Sequence, residues 1–368
     1  MIELVINKLL NDEDIAQKYN LNRSTISYVL TSRSPYRNYL HSRFNYTILS
    51  GASPVLCVRF YSDNNSNIRL EREFDIQRNI YTKYTNLKIP CPVSLFEING
   101  CEVMVEEAFL GKTLYKKWEE NRTTSNCHEV IEHATQVQML LNEDLVLSNF
   151  TEFANEINEL TSRFIALYRP TLTERASIMK LVSLLIGEFK NASIYKRYTN
   201  GDFNPTNILL DVDNSPILLD FELAEETHLY FLDWFNLIFC FNIPRKTIER
   251  LLNSNCDTTF VNALSYIKNL NHVSDNQIVK AQWLLFYMKL FVTNSHAYPK
   301  FEVEIQRINM KSKLKTLFRG SNPRTQELIR LARMSVFILK TGGIKILYHA
   351  VMEKMRTNDL LRTLLATQ

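Results

Sequence analysis

The sequence predicts an α+β protein with a small antiparallel sheet on its N-terminal side, followed by a larger, mainly helical part with one β-hairpin set into it. Three observations predict this. Strand-forming runs crowd the first 110 of the 368 residues. Helical patterning takes over after Gly111. Residues 200–222 then interrupt the helices with two short apolar runs joined by a turn. Taken in order, residues 25–30, 45–49 and 55–61 are rich in β-branched and aromatic side chains, and residues 50–54 punctuate the second and third runs with Gly51 and Pro54. Residues 68–84 read as a helix with apolar positions at 70, 74, 76 and 80, ended by Pro90 and Pro92. Residues 93–98 and 102–109 form a hairpin around the tight turn Asn99-Gly100. The expected organisation is a helical extension over 1–24, a sheet-bearing lobe over 25–110 and a helical lobe over 111–368 that carries the 200–222 hairpin.

Composition narrows the class. Apolar residues make up 45% and charged residues 22%, which is ordinary for a globular chain. The net charge of +4 is spread along the sequence and does not demand a nucleic-acid partner. Cysteines 57, 91, 101, 127, 240 and 256 lie far apart with no C-x2-C pair, so a zinc site is not expected and a reduced, cytoplasmic protein is. The N-terminus lacks the basic region and long apolar run of a signal peptide, and the apolar stretch 230–241 is too short to span a bilayer.

The most informative string runs from Asn200 to Glu222. Asp202 stands five residues before Asn207. An apolar run, a turn and a second apolar run follow, ending in Asp220. Strands over 208–211 and 217–219 bring Asn207 and Asp220 together. Phosphoryl transfer from a magnesium-bound nucleotide needs such a set: one carboxylate to accept the proton of the attacking hydroxyl, and an amide oxygen and a second carboxylate to hold metal ions on the phosphates. Asp and Asn are also common turn residues, but the full string with Pro205 and the hairpin spacing is far more specific than a lone pair.

This segment resembles the aminoglycoside phosphotransferase and choline/ethanolamine kinase superfamily, which has a protein-kinase-like, two-lobed fold. Pro205 to Leu209 match its Pro-x-Asn-Ile-Leu run, and Leu219 to Glu222 match its Ile-Asp-Phe-Glu metal motif. The family's usual His before Gly-Asp is Asn200 here. That His is mostly a scaffold residue, so loop geometry is the property at stake. Asp233 sits where the family commonly places an Asp that braces the catalytic loop. The resemblance implies a transfer of the γ-phosphate of ATP, or another nucleoside triphosphate, with Mg2+, to a hydroxyl of a small molecule such as an amino alcohol, sugar, aminosugar or glycan precursor. It implies Asp202 as catalytic base and Asn207 and Asp220 as metal ligands.

The resemblance also assigns a nucleotide side to residues 25–110. Arg59, in the third strand, corresponds to the basic residue that reaches the phosphates, and Glu73 is its best carboxylate partner, with Glu71 second. Residues 103–111, with Val105 and Glu106, resemble the hinge whose strand edge offers backbone groups to adenine, Gly111 allowing the turn into the large lobe. The phosphate-covering loop falls on residues 31–37, with Ser32 and Ser34 in place of glycines. Candidate acceptor contacts are Glu225, Glu226, Trp283, Tyr287 and the basic run 311–319, although an aromatic stripe at helical spacing equally suits a core.

Two other readings compete. Asn200 for His, Arg59 for Lys and the absence of a glycine loop fit a catalytically weak or inactive pseudokinase, against which the retained Asp202, Asn207 and Asp220 weigh. Residues 14–30, with Ala16, Leu21, Ile26 and Val29 at apolar spacings, resemble a helix-turn-helix of a DNA-binding regulator. The sheet, however, needs a first strand before residue 31, and only residues 25–30 supply it.

Overall fold

The computed structural model describes residues 1–35, 42–61, 67–120, 124–142, 146–229, 232–240, 276–297 and 300–319. The chain divides into two compact units, one of Met1–Thr161 with Met179–Phe286, the other of Ser162–Ile178 with the residues from Tyr287 onward.

Helix α1 (Ile2–Asn11) opens the first unit. Its apolar residues Ile2, Val5, Ile6 and Leu9 recur at helical spacing and are all buried. Asp12 then caps α2 (Glu13–Lys18) by accepting from the Ile15 N–H at 3.1 Å. These two helices cover part of the sheet. With Tyr19 and Leu21 they pack on one face of the sheet, against Ile48, Leu56, Val58, Phe60, Val103 and Val105.

The sheet has five antiparallel strands in the order β1 (Ile26–Pro35), β2 (Ser42–Ser50), β3 (Ser53–Tyr61), β5 (Cys101–Glu107), β4 (Pro92–Ile98). Gly51 turns β2 into β3 with φ +63°. Asn99 and Gly100, at φ +52° and +76°, make the turn between β4 and β5, as a two-residue hairpin of this type requires. Helix α3 (Asn67–Lys83) lies between β3 and β4 in sequence, and its Leu70 and Phe74 pack with Tyr61 and Met104.

Three expectations are corrected here. First, β1 continues to Pro35, so Ser32 and Ser34 are strand residues opposite Asn45 and Arg43 and do not belong to a loop; positions 36 and 37 of the expected phosphate loop lie outside the described residues. Second, residues 26–30 are strand, so no recognition helix follows α2 and the helix-turn-helix reading fails: β-branched and aromatic residues there pair with β2. Third, β5 is no edge. Val58 and Ser94 flank Val105, while Cys57 and Pro92 flank Glu106, so the strand at Val105 and Glu106 is closed on both sides to an adenine ring.

Past β6 (Lys112–Thr113) come helices α4 (Leu114–Glu120) and α5 (Thr124–Asn142), strand β7 (Val146–Ser148), helices α6 (Phe150–Tyr168) and α7 (Leu172–Glu188), and strand β8 (Ile194–Thr199). The hairpin strands β9 (Ile208–Leu210) and β10 (Pro216–Leu218) form a three-stranded sheet with β6, and β11 (Glu225–Thr227) joins β8 and β7 in another. Pairing of β6 with β9 explains Gly111 differently from a turn requirement: a Cβ there would stand 2.0 Å from the Leu210 carbonyl oxygen. Helix α8 (Leu232–Cys240) completes the site region, and α9 (Asn276–Ala297) and α10 (Lys300–Arg319) follow.

In the second unit Phe164 stacks on Tyr168 at 5.0 Å and meets Phe291 edge-on at 5.5 Å. Arg307 donates to the Leu167 carbonyl through Nε at 2.9 Å and Nη2 at 2.7 Å. Among the described residues no helix is long and apolar enough to cross a membrane.

Candidate active site

The hairpin forms because apolar Ile208, Leu210, Ile217 and Leu218 are buried, while Asp211 organises the turn by accepting the N–H groups of Asp213 and Ser215, each at 2.9 Å. At its open end the Leu219 N–H donates to the Asn207 carbonyl at 2.8 Å. That bond joins the ends of the two segments that carry Asn207 and Asp220. The Leu218 N–H donates to the Lys88 carbonyl at 3.0 Å, and Lys88 pairs with Asp211, so the segment after α3 is tied to the hairpin.

Asp202 is fixed by amides. Its Oδ1 accepts from Asn236 Nδ2 at 3.0 Å and its Oδ2 from Asn207 Nδ2 at 3.2 Å. Asn207 and Asn204 also donate to the Asp202 carbonyl, both at 3.0 Å. Burial raises the Asp202 carboxyl above its ordinary value, the amide hydrogen bonds opposing it and the nearby Asp220 adding to it. A raised carboxylate is a stronger base. Because Asn207 spends its NH2 on Asp202, its Oδ1 is left with a long contact from Thr206, at 3.4 Å.

The loop itself is braced from beneath. The Asn200 N–H donates to Asp233 Oδ2 and the Gly201 N–H to Oδ1, both at 3.0 Å. Gly201 is required there: its φ is +75° and a Cβ would lie 2.1 Å from the Leu223 carbonyl oxygen. Asn200 is fully buried and donates through Nδ2 to the carbonyls of Leu219 at 3.1 Å and Asp220 at 2.7 Å. It therefore joins the loop of residues 200–202 to the segment that carries Asp220.

Burial pushes the Asp233 carboxyl up to about 6, against the pull of Arg197 and the two backbone N–H groups. A folded-state value above the ordinary 3.8 stabilises the native state fully below 3.8, and that contribution is lost as the pH rises through about 6. This group is thus expected to withdraw about 1–3 kcal/mol of unfolding free energy between pH 4 and 7. Urea titrations across that range check it: Asp233→Asn should lack the decline, and parallel slopes for the two proteins would refute it.

Asp220 adopts φ +59°, a left-handed conformation that a non-glycine residue rarely holds. Its side chain is 33% exposed, yet Oδ1 is buried and accepts no hydrogen bond. Arg43 Nη2 stands 3.6 Å from that oxygen and Arg59 Nη1 4.0 Å. Burial acts to raise the Asp220 carboxyl, but these two guanidiniums outweigh it and hold it below its ordinary value.

The structure pairs Arg59 with Glu73, as the sequence predicts, and adds a second carboxylate that the sequence did not reveal. Nη1 donates to Glu73 and Nη2 to Glu106. Glu106 also accepts from Gln77 Nε2 at 2.8 Å. Glu106, expected to present hinge backbone to adenine, is instead a buried clamp on Arg59, and Val105 is fully buried core. Burial pushes the Glu73 carboxyl up to about 7 despite both arginines. Arg43, in β2, joins the same cluster. It is 7% exposed, donates from Nη1 to Glu222 at 2.7 Å and approaches Glu73 at 4.0 Å. Arg43 shares a strand face with Asn45, which lies opposite Arg59. A second strand read from residue 42 would have found it; one read from residue 45 could not.

Asn207, with an amide oxygen in reserve, and Asp220, with an orphaned buried oxygen, fit a hard divalent cation that takes its remaining ligands from phosphates and water. Among the described residues no group of three or more His, Cys, Asp or Glu side chains could hold a metal ion by itself. On the acceptor side, Trp283 is buried and meets Phe235 edge-on at 4.7 Å, so it belongs to the core. Glu226 pairs with Lys196 at 3.2 Å, and Lys313 lies 5.0 Å from the Tyr287 ring centre.

The chain has the aminoglycoside-phosphotransferase fold. The GDP complex of wild-type aminoglycoside 2'-phosphotransferase-IIIa aligns with a TM-score of 0.52 at 12% identity, covering 86% of this chain and 99% of that one. The GDP and kanamycin complex of APH(2")-IIia aligns with a TM-score of 0.51 at 12% identity, covering 85% and 100%. No protein-family model and no curated protein sequence matches the chain.

Proposed function

We propose that the protein is a phosphotransferase that moves the γ-phosphate of ATP, or of another nucleoside triphosphate, to a hydroxyl of a small molecule. The observation that carries this reading is Asp202 held by Asn207 and Asn236, with the Asp220 segment tied back to Asn207. Asp202 accepts the proton of the attacking hydroxyl as the new P–O bond forms. Asn236 and Asn207 keep its two oxygens oriented. Asn207 and Asp220 would hold Mg2+, which when bound would neutralise charge on the phosphates. Arg59 and Glu73, from β3 and α3, form the pair that orders the phosphate side, and residues 25–110 are the nucleotide side, with the helical remainder as acceptor side. Two neighbours of the same fold hold GDP, which supports nucleotide binding without choosing the base. The acceptor class is an amino alcohol, sugar, aminosugar or glycan precursor. Among the described residues, cysteines 57, 91 and 101 are thiols outside any disulfide, in keeping with the proposal of a reducing compartment such as the cytoplasm.

A second reading, a nucleotide-binding pseudokinase, has one observation in its favour: both terminal nitrogens of Arg59 are already committed to Glu73 and Glu106. Incubation with labelled ATP, Mg2+ and a panel of choline, ethanolamine, simple sugars, aminoglycosides and bacterial glycan intermediates separates the two. Transfer of label to a panel member is the expected result. Nucleotide binding without transfer or hydrolysis would favour the pseudokinase, and no nucleotide binding at all would remove both.

A further inference from the structure

Two guanidiniums and four carboxylates converge behind the metal motif: Arg43 and Arg59 with Glu73, Glu106, Asp220 and Glu222. The two arginines are not equivalent. Arg59 has committed one terminal nitrogen to each of two buried carboxylates, so it cannot turn to a phosphate without abandoning one of them. Arg43 has committed only Nη1, to Glu222. Its Nη2 stands at ion-pair distance, 3.6 Å, from Asp220 Oδ1, which accepts no hydrogen bond, and its buried Nε makes none. A buried guanidinium with unspent donors beside a carboxylate oxygen without a hydrogen bond is costly to keep unless a ligand completes it.

We propose that Arg43 contacts the phosphates directly, beside the Arg59–Glu73 pair that orders that side of the site, and that it competes with the divalent metal ion for Asp220. The proposal rests on the phosphotransferase reading and adds a residue and an order of events to it. Without nucleotide, Arg43 neutralises Asp220 and holds a free metal ion off. When a triphosphate enters, the Nε and Nη2 donors of Arg43 pass to phosphate oxygens, and Asp220 becomes available to the metal that arrives with the nucleotide. Arg suits this part because its planar fork serves a carboxylate or a phosphate equally well and stays charged throughout.

Direct binding tests this without relying on turnover. Full-length wild-type protein, Arg43→Gln and Arg43→Lys are each titrated with Mn2+ in the absence of nucleotide, free Mn2+ being followed by electron paramagnetic resonance. Each is then titrated with a fluorescent ATP analogue in EDTA. Loss of a charge-assisted contact predicts that Arg43→Gln binds the analogue about tenfold more weakly without metal, and Mn2+ more tightly than wild type does. Arg43→Lys retains the charge, so its Mn2+ affinity should stay near wild type while metal-free nucleotide binding weakens. Unchanged affinities in Arg43→Gln, or an Arg43→Lys protein that matches Arg43→Gln with Mn2+, would overturn the proposal alone. Failure of the wild-type protein to bind the analogue, with Mg2+ or without, would overturn the phosphotransferase reading and this proposal with it.

Discussion

Asp202→Asn is expected to lower phosphoryl transfer by about 10²- to 10⁴-fold, the usual contribution of a positioned general base. The substitution is close to isosteric and keeps an oxygen for one of the two amides that approach Asp202, from Asn207 and Asn236. What it removes is the capacity to take a proton. Nucleotide affinity should therefore change little while kcat falls, a split that separates lost chemistry from a disordered loop. The pH profile gives a second readout. Because burial raises the Asp202 carboxyl, the wild-type rate should fall as the pH drops through that raised value, and the residual rate of the variant should lack this acid limb. Full activity in Asp202→Asn, or an unchanged acid limb, would remove Asp202 from the chemistry.

Arg59→Met is expected to destabilise the protein by about 3–5 kcal/mol, the cost of leaving buried carboxylates without their counter-charge. Arg59 is the common partner of Glu73 and Glu106, which are 1% and 3% exposed, so truncation strands both. Glu73 can escape in part by protonating, since its carboxyl is already pushed up to about 7. Among the described residues Glu106 has Gln77 as its further side-chain donor, at 2.8 Å. The double variant Arg59→Met, Glu106→Gln should therefore recover a substantial share of the loss, measured as unfolding free energy in urea. A single variant within about 0.5 kcal/mol of wild type, the range of an ordinary surface change, would show that the clamp does not hold the sheet to α3.

These two sites also show what was legible beforehand. The Asp202–Asn207–Asp220 set was readable because its members are close in sequence and separated by a hairpin whose apolar runs and turn residues declare themselves locally. Arg59 with Glu73 was readable for a similar reason, a strand followed by a helix. Glu106 was not, because its distance of 47 residues from Arg59 is bridged only by the pairing of β3 with β5. Arg43 was hidden by a strand read three residues too short, which cut off the position whose face aims at the site. Strand β6 has two residues and so carries no periodicity at all; only Gly111, without room for a Cβ, marks it. The aromatic residues of α9 read as possible acceptor contacts because side-chain type does not reveal which face is covered, and Phe235 covers Trp283.

Asn200 has a consequence for how the loop behaves in acid. An imidazole at this position would carry one N–H when neutral and two when protonated, so its joint to the backbone would change character near its own titration point. A carboxamide offers the same two donors at every pH. The carbonyls of Leu219 and Asp220 therefore keep their partner in acidic surroundings as well as neutral ones, and the seam between loop and hairpin is indifferent to acidification, even while the carboxylate of Asp233 beneath it is not.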